Sequence, residues 1–121
     1  SASLEIWPVS EVQTLRQARP RLAQQLGARA ASLRPGQPQT LPMPCPPGAE
    51  GRCDAGLDEV LDWWQIGTLE GQPLLLDPRR PSGQWRLVRL DPQGATLHPE
   101  PGLRELLLRA YLQQPPGRPA G

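Results

Sequence analysis

Few residues of this chain have the types and spacing that catalytic chemistry demands. His98 is the sole histidine. It stands before Pro99 at the end of a candidate hairpin, where a surface or turn role is the simplest reading. Nucleophilic attack by Cys45 or Cys53 needs a neighbouring base, and nothing in the sequence brings His98 near either thiol. No acid–base pair or nucleophile–base–orienter set is recognisable. The sequence therefore predicts a non-catalytic chain, not an enzyme.

Cys45 and Cys53 flank the stretch 46–52. A zinc site needs about four ligands, and only His98 could add a nitrogen, so neither a metal nor another cofactor is expected. A disulfide closing this loop is one reading; it requires an oxidising compartment and contributes roughly 2–3 kcal/mol in the chain-entropy view. Two free thiols in a loop is the other, and the residues alone leave the choice open. Glu50, Asp54, Asp58, Glu59 and Asp62 form an acidic set. It could attract a cation or a basic partner, but it also suits a solvated helix N-terminus, where acids complement the macrodipole. The alternating ligand loop of an EF-hand is absent.

Binding chemistry is better represented. Four Trp stand with one Tyr and no Phe. Tryptophan and arginine offer large contact area and planar donors, and they dominate interface hot spots. Trp63 and Trp64 are adjacent, so in a strand they point to opposite faces. The candidate partner-binding residues are Trp63 or Trp64, Trp85, Arg86 and Arg89, with Asp54, Asp58 and Asp62 at the rim. Arg86 shares strand parity with Val88, whereas Arg89 follows the other phase unless a bulge realigns it.

The elements that must position these residues can be read in order. Leu4–Trp7 alternates as a short strand, and Pro8 ends it. Ser10 followed by Gln13 suggests a capping box opening a helix over 10–18. Pro20 suits the first position of a second helix over 20–31. Residues 34–56 recur in Pro and Gly and read as loop; long loops of this kind are often functional or mobile. Leu57 to Gly67 is a short helix running into a strand near 63–67. Strands are predicted near 73–77, 84–91 and 95–98, the last two joined by the turn signal Asp91-Pro92-Gln93-Gly94. The change of phase between Leu87 and Val88 suggests a bulge or a strand buried on both faces. Leu103, Leu106, Leu107, Ala110 and Tyr111 make one apolar stripe, the best helix of the chain, over about 103–113. The predicted fold is α+β, a mostly antiparallel twisted sheet of four to six strands with helices packed on one face. One domain is expected: strand and helices over 1–33, a Pro/Gly-rich loop over 34–56, sheet and closing helix over 57–113, and a disordered tail over 114–121.

Composition excludes some function classes. With 17 Pro and 12 Gly in 121 residues, the folded part is smaller than the chain. All 13 basic residues are Arg, nearly balanced by 12 acids, so the basic excess of a nucleic-acid binder is missing. No apolar run approaches the ~20 residues that span a bilayer. A soluble chain with a protein partner, no nucleic acid and no membrane is the expectation.

Beyond these readings, residues 64–112 resemble the SUKH superfamily, which includes yeast cell-wall-assembly regulators and bacterial toxin-immunity proteins. Trp64-Gln65-Ile66-Gly67 is similar to that family's W-x-I/P-G strand. Gly71 to Pro78 is similar to its G-D-x-L-x-L-D-x-x-P strand, Gly83 to Val88 to its G-x-V strand, and Leu103 to Leu112 to its closing helix. The chain departs from the pattern at Gln72, where many members carry Asp, at Pro101-Gly102-Leu103, and in a shortened N-terminal helical segment. The resemblance implies a toxin-neutralising or adaptor protein and leans towards a cytoplasmic site; bonded cysteines would instead place the chain outside the cytoplasm. The alternatives are an accessory domain of a larger secretion or envelope protein, or a small ligand-binding or hydrolase domain.

Overall fold

In the computed structural model of the protein, residues 3–45, 53–80 and 85–105 are described. The element order is β1 (Leu4–Ile6), β2 (Gln13–Thr14), α1 (Leu15–Ala18), α2 (Pro20–Leu33), β3 (Thr40–Leu41), β4 (Ala55–Gly56), α3 (Leu57–Leu61), β5 (Trp64–Leu69), β6 (Gln72–Asp77), β7 (Arg86–Asp91) and β8 (Thr96–Pro99), with short 3₁₀ turns at Val9–Glu11 and Pro101–Leu103. The main sheet has six strands in the order β1-β5-β6-β7-β8, with β2 also on β5, and every pairing is antiparallel. The fold is α+β.

Local chemistry explains most boundaries. Glu70 and Gly71 join β5 to β6, and both have positive φ, 52° and 78°. Two consecutive left-handed residues match the twist of the flanking strands, as in a type I′ hairpin. Pro20 occupies the first turn of α2, where its missing N–H costs nothing. The capping box falls elsewhere than on Ser10 and Gln13. Thr14 accepts from the Gln17 amide, and Gln17 Oε1 accepts from the Thr14 amide, both at 3.2 Å. The reason is sheet pairing: Gln13 and Thr14 lie opposite Gln65 and Trp64, so the helix cannot begin before Leu15.

The sheet is buried on both faces. One face presents Leu75, Val88, Leu90 and Leu97 to Leu15, Leu26 and Ala30 of the helices and to Leu57, Val60 and Leu61. The segment read as loop contributes Leu41, Met43, Cys53 and Ala55 to this same core, because β3 pairs with β4 and lays its apolar residues inward. A second cluster of Ile66, Leu74 and Leu87 occupies the opposite face, with Leu4, Ile6, Val12, Leu76 and Leu103 against it. This second cluster covers part of the face that the helices leave open, while Trp64 stays 44% exposed. The adjacent Leu87 and Val88 are 2% and 0% exposed, a strand buried on both sides, and β7 pairs with β6 without a bulge. The bulge of the sheet lies instead in β5, between Gln65 and Gly67. The proposed helix over 103–113 is described only at its start, where the 3₁₀ turn passes into helical backbone at 104–105; the rest of it, and the tail over 114–121, lie outside the described residues.

Candidate functional site

The densest polar arrangement lies at the end of β6 and the start of β7. Asp77 ends β6 opposite Arg86, and its strand parity matches Leu75, so it points into the helix-covered face and is 1% exposed. A buried carboxylate must be paired and hydrogen-bonded. Arg79 does this: its backbone amide and Nε donate to Oδ1, and Nη2 donates to Oδ2, all at 3.0 Å. The same guanidinium donates to the backbone carbonyls of Asp54 and Cys53 at 2.9 Å and sits 5.2 Å from the centroid of the Trp63 ring. Arg79 therefore clips the end of the sheet to the disulfide-bearing segment. Its pKa is raised, chiefly by the hydrogen bond to Asp77, against the opposing effect of burial.

Arg86 is served less well. Its Nη2 lies 3.7 Å from Asp77 Oδ2, too long for a hydrogen bond, and its Nε and Nη1 are buried without an acceptor among the described residues. Burial pushes the Arg86 pKa down; Asp77 opposes this, and the like charges of Arg80 and Arg79 add to it. Beside it opens a cleft of about 420 Å³ lined by Arg80, Trp85, Arg86, Leu87, Pro99, Pro101 and Arg104. Among the described residues, three guanidinium-bearing side chains and four apolar ones line this wall. Such a wall sets guanidinium groups beside apolar surface.

The residues singled out from the sequence are dispersed by the fold. Trp63 is 2% exposed and belongs to the core, while its neighbour Trp64 is 44% exposed, opposite Leu76 of β6. Trp85 and Arg86 meet at the cleft. Arg89 faces the other side of the sheet from Arg86, donating to Gln72 Oε1 and lying 4.0 Å from Glu100. Asp54 accepts from the Met43 amide at 3.1 Å. Asp58 is exposed in the first turn of α3, and Asp62 pairs with Arg16 at 3.2 Å across an exposed surface. None of these three acids is among the described residues that line the cleft, although Asp54 meets Arg79 through its backbone carbonyl. Cys45 and Cys53 are bonded, with their Cα atoms 5.2 Å apart. His98 Nε2 lies 2.9 Å from Thr96 Oγ1, a local contact within β8.

Sequence reasoning missed Asp77, Arg79, Arg80 and Arg104. A signal existed for the first: a carboxylate at the end of an apolar strand, in the parity of Leu75, needs a buried cation close by. Among the described residues no cluster of three His, Cys, Asp or Glu could hold a metal ion, and no helix is long and apolar enough to cross a membrane. No protein-family model, curated protein or solved structure matches the chain.

Proposed function

We propose that this chain is a non-catalytic protein-binding module that docks its partner at the cleft beside Arg86. One observation carries the reading: among the described residues, the cleft joins the apolar surfaces of Trp85, Leu87, Pro99 and Pro101 to three arginines. Aromatic and arginine anchors in one depression are what interface hot spots use. The resemblance to SUKH proteins supports the same class, a toxin-neutralising or adaptor role. The Cys45–Cys53 bond favours an oxidising compartment over the cytoplasm.

Selection of a random-peptide display library against the immobilised chain tests this reading. The expected outcome is a set of peptides whose affinity falls about tenfold or more on Trp85→Ala, the loss that defines an anchor worth at least about 1.4 kcal/mol. Peptides that bind wild type and Trp85→Ala equally would remove the cleft as the docking site.

A further inference from the structure

We infer that a groove along α2 binds an extended segment of a partner protein with acids at positions i and i+4 and an apolar residue at i+2. The groove shares no described lining residue with the cleft beside Arg86, so the inference goes beyond the reading above. Two depressions of about 370 and 530 Å³ meet at Leu22, Gln25 and Pro92 and form this groove. Helix α2 makes one wall. The hairpin turns at Gly71 and at Pro92–Gln93 make the other.

Charge complementarity carries the assignment. Between Glu11 and Glu50 the chain has five arginines and no acid, and three of them, Arg19, Arg21 and Arg29, line the groove. Among the described residues no acid lines it, and none of their ion pairs involves these three arginines. Arg21 and Arg29 are exposed and within reach of a ligand. Arg29 donates from Nε to the Gln93 carbonyl at 2.7 Å, and Arg19 Nη2 lies 3.5 Å from the Gly71 carbonyl. Both contacts run from the helix side to a turn and hold the guanidinium groups at the groove. A guanidinium fork has five N–H donors, so others remain for an incoming carboxylate.

The spacing sets the ligand. Eight residues of helix separate Arg21 from Arg29, a rise of about 12 Å. In an extended chain, positions i and i+4 lie about 13 Å apart and face the same way, so each of two acids can reach one cation. Position i+2 then faces the middle of the groove, where half-buried Leu22 and Pro92 offer apolar surface. A nucleic-acid backbone supplies the charge without that apolar group, and a chain of net charge +1 lacks the basic excess such a ligand calls for.

Titration of the whole chain, followed by calorimetry and by amide NMR shifts, tests the inference. The terminally blocked peptide Ser-Glu-Ser-Leu-Ser-Glu-Ser should bind at low salt with a Kd at or below about 1 mM. It should shift the amides of 18–32, Gly71 and Gln93, and weaken as salt rises. The same residues reordered as Ser-Ser-Glu-Glu-Leu-Ser-Ser should bind about threefold more weakly, the loss expected for one exposed ion pair. Arg21 is exposed and in no ion pair among the described residues, so Arg21→Glu should fold normally and weaken the spaced peptide about fivefold or more. Trp85→Ala should leave its affinity unchanged, because Trp85 lines the other cleft. Equal affinity for the two peptides, no binding at about 1 mM, loss of binding on Trp85→Ala, or indifference to Arg21→Glu would each overturn the inference. So would tighter binding of polyphosphate or of a phosphatidylserine vesicle than of the spaced peptide, or a dimer of the chain that Arg21→Glu dissolves; these would give the groove to another anion or to a second copy. Docking at Trp85 stands or falls separately, on the display selection.

Discussion

Asp77 and Arg79 lie two residues apart and form a closed pair, Nε on Oδ1 and Nη2 on Oδ2, each at 3.0 Å. The pair lies where β6 leaves the sheet, and Arg79 continues outward to the carbonyls of Cys53 and Asp54. One carboxylate thereby fixes a strand end, a cation and the segment carrying the disulfide.

Asp77→Asn should destabilise the fold by about 2–4 kcal/mol, because removing one partner of a buried pair leaves the other charge uncompensated. Urea denaturation of the variant checks this; a loss below about 1 kcal/mol would mean that water screens the pair, as at exposed sites. The raised pKa of Arg79 keeps its charge, and this contribution, in place below its ordinary pKa, with loss only as pH rises through the folded value.

Reduction of Cys45–Cys53, or Cys45→Ala with Cys53→Ala, should lower stability by about 2–3 kcal/mol through the restored freedom of a short loop. Cys53 is 8% exposed and belongs to the core, so the alanine pair should lose slightly more than reduction alone. Parallel denaturant midpoints with and without reductant provide the measurement, and coincident midpoints would count against it.

Gly67→Ala addresses the N-terminal strand. A Cβ on Gly67 would meet the Glu5 carbonyl oxygen across the β1–β5 pair, and backbone cannot step aside as a side chain can. A loss of about 3 kcal/mol is expected, at the upper end of overpacking costs. Amide exchange should localise the damage: protection at Leu4 to Ile6 should fall well before protection in β6 and β7.

The adjacent tryptophans should behave oppositely. Trp63→Leu removes a buried ring and the seat of Arg79, and should cost about 3 kcal/mol. Trp64→Gln, at a position 44% exposed, should cost about 1 kcal/mol or less. Equal losses in thermal melts would contradict this assignment of the two rings.

The sheet was legible because its cues are local. Alternation in Leu4–Ile6, the apolar run Leu74–Leu76 and the turn before β8 each act within a few residues. Parity also separated Arg86 from Arg89 correctly. The inward role of residues 40–45 and 53–56 was hidden, because Pro and Gly suppress regular patterning while Leu41, Met43 and Cys53 still bury their side chains. The displaced capping box has a similar cause: both candidate boxes satisfy the local rule, and only the pairing of Thr14 with Trp64 selects between them. The cleft was half visible. Trp85 and Arg86 stood out by type, whereas Arg80, Arg104 and the clip by Arg79 depend on contacts between segments far apart in sequence.

The route of the chain through the sheet also sets an order of assembly. Strands β5 to β8 each pair with their neighbour in sequence, so each pairing closes a small loop at little entropic cost. Leu4 must wait for Leu69, and non-local pairings of that kind are slow to close. Synthesis, however, delivers β1 before β5. During that interval Leu4 and Ile6 lie on an unpaired strand, and the nascent chain carries a temporary edge that other strands could join.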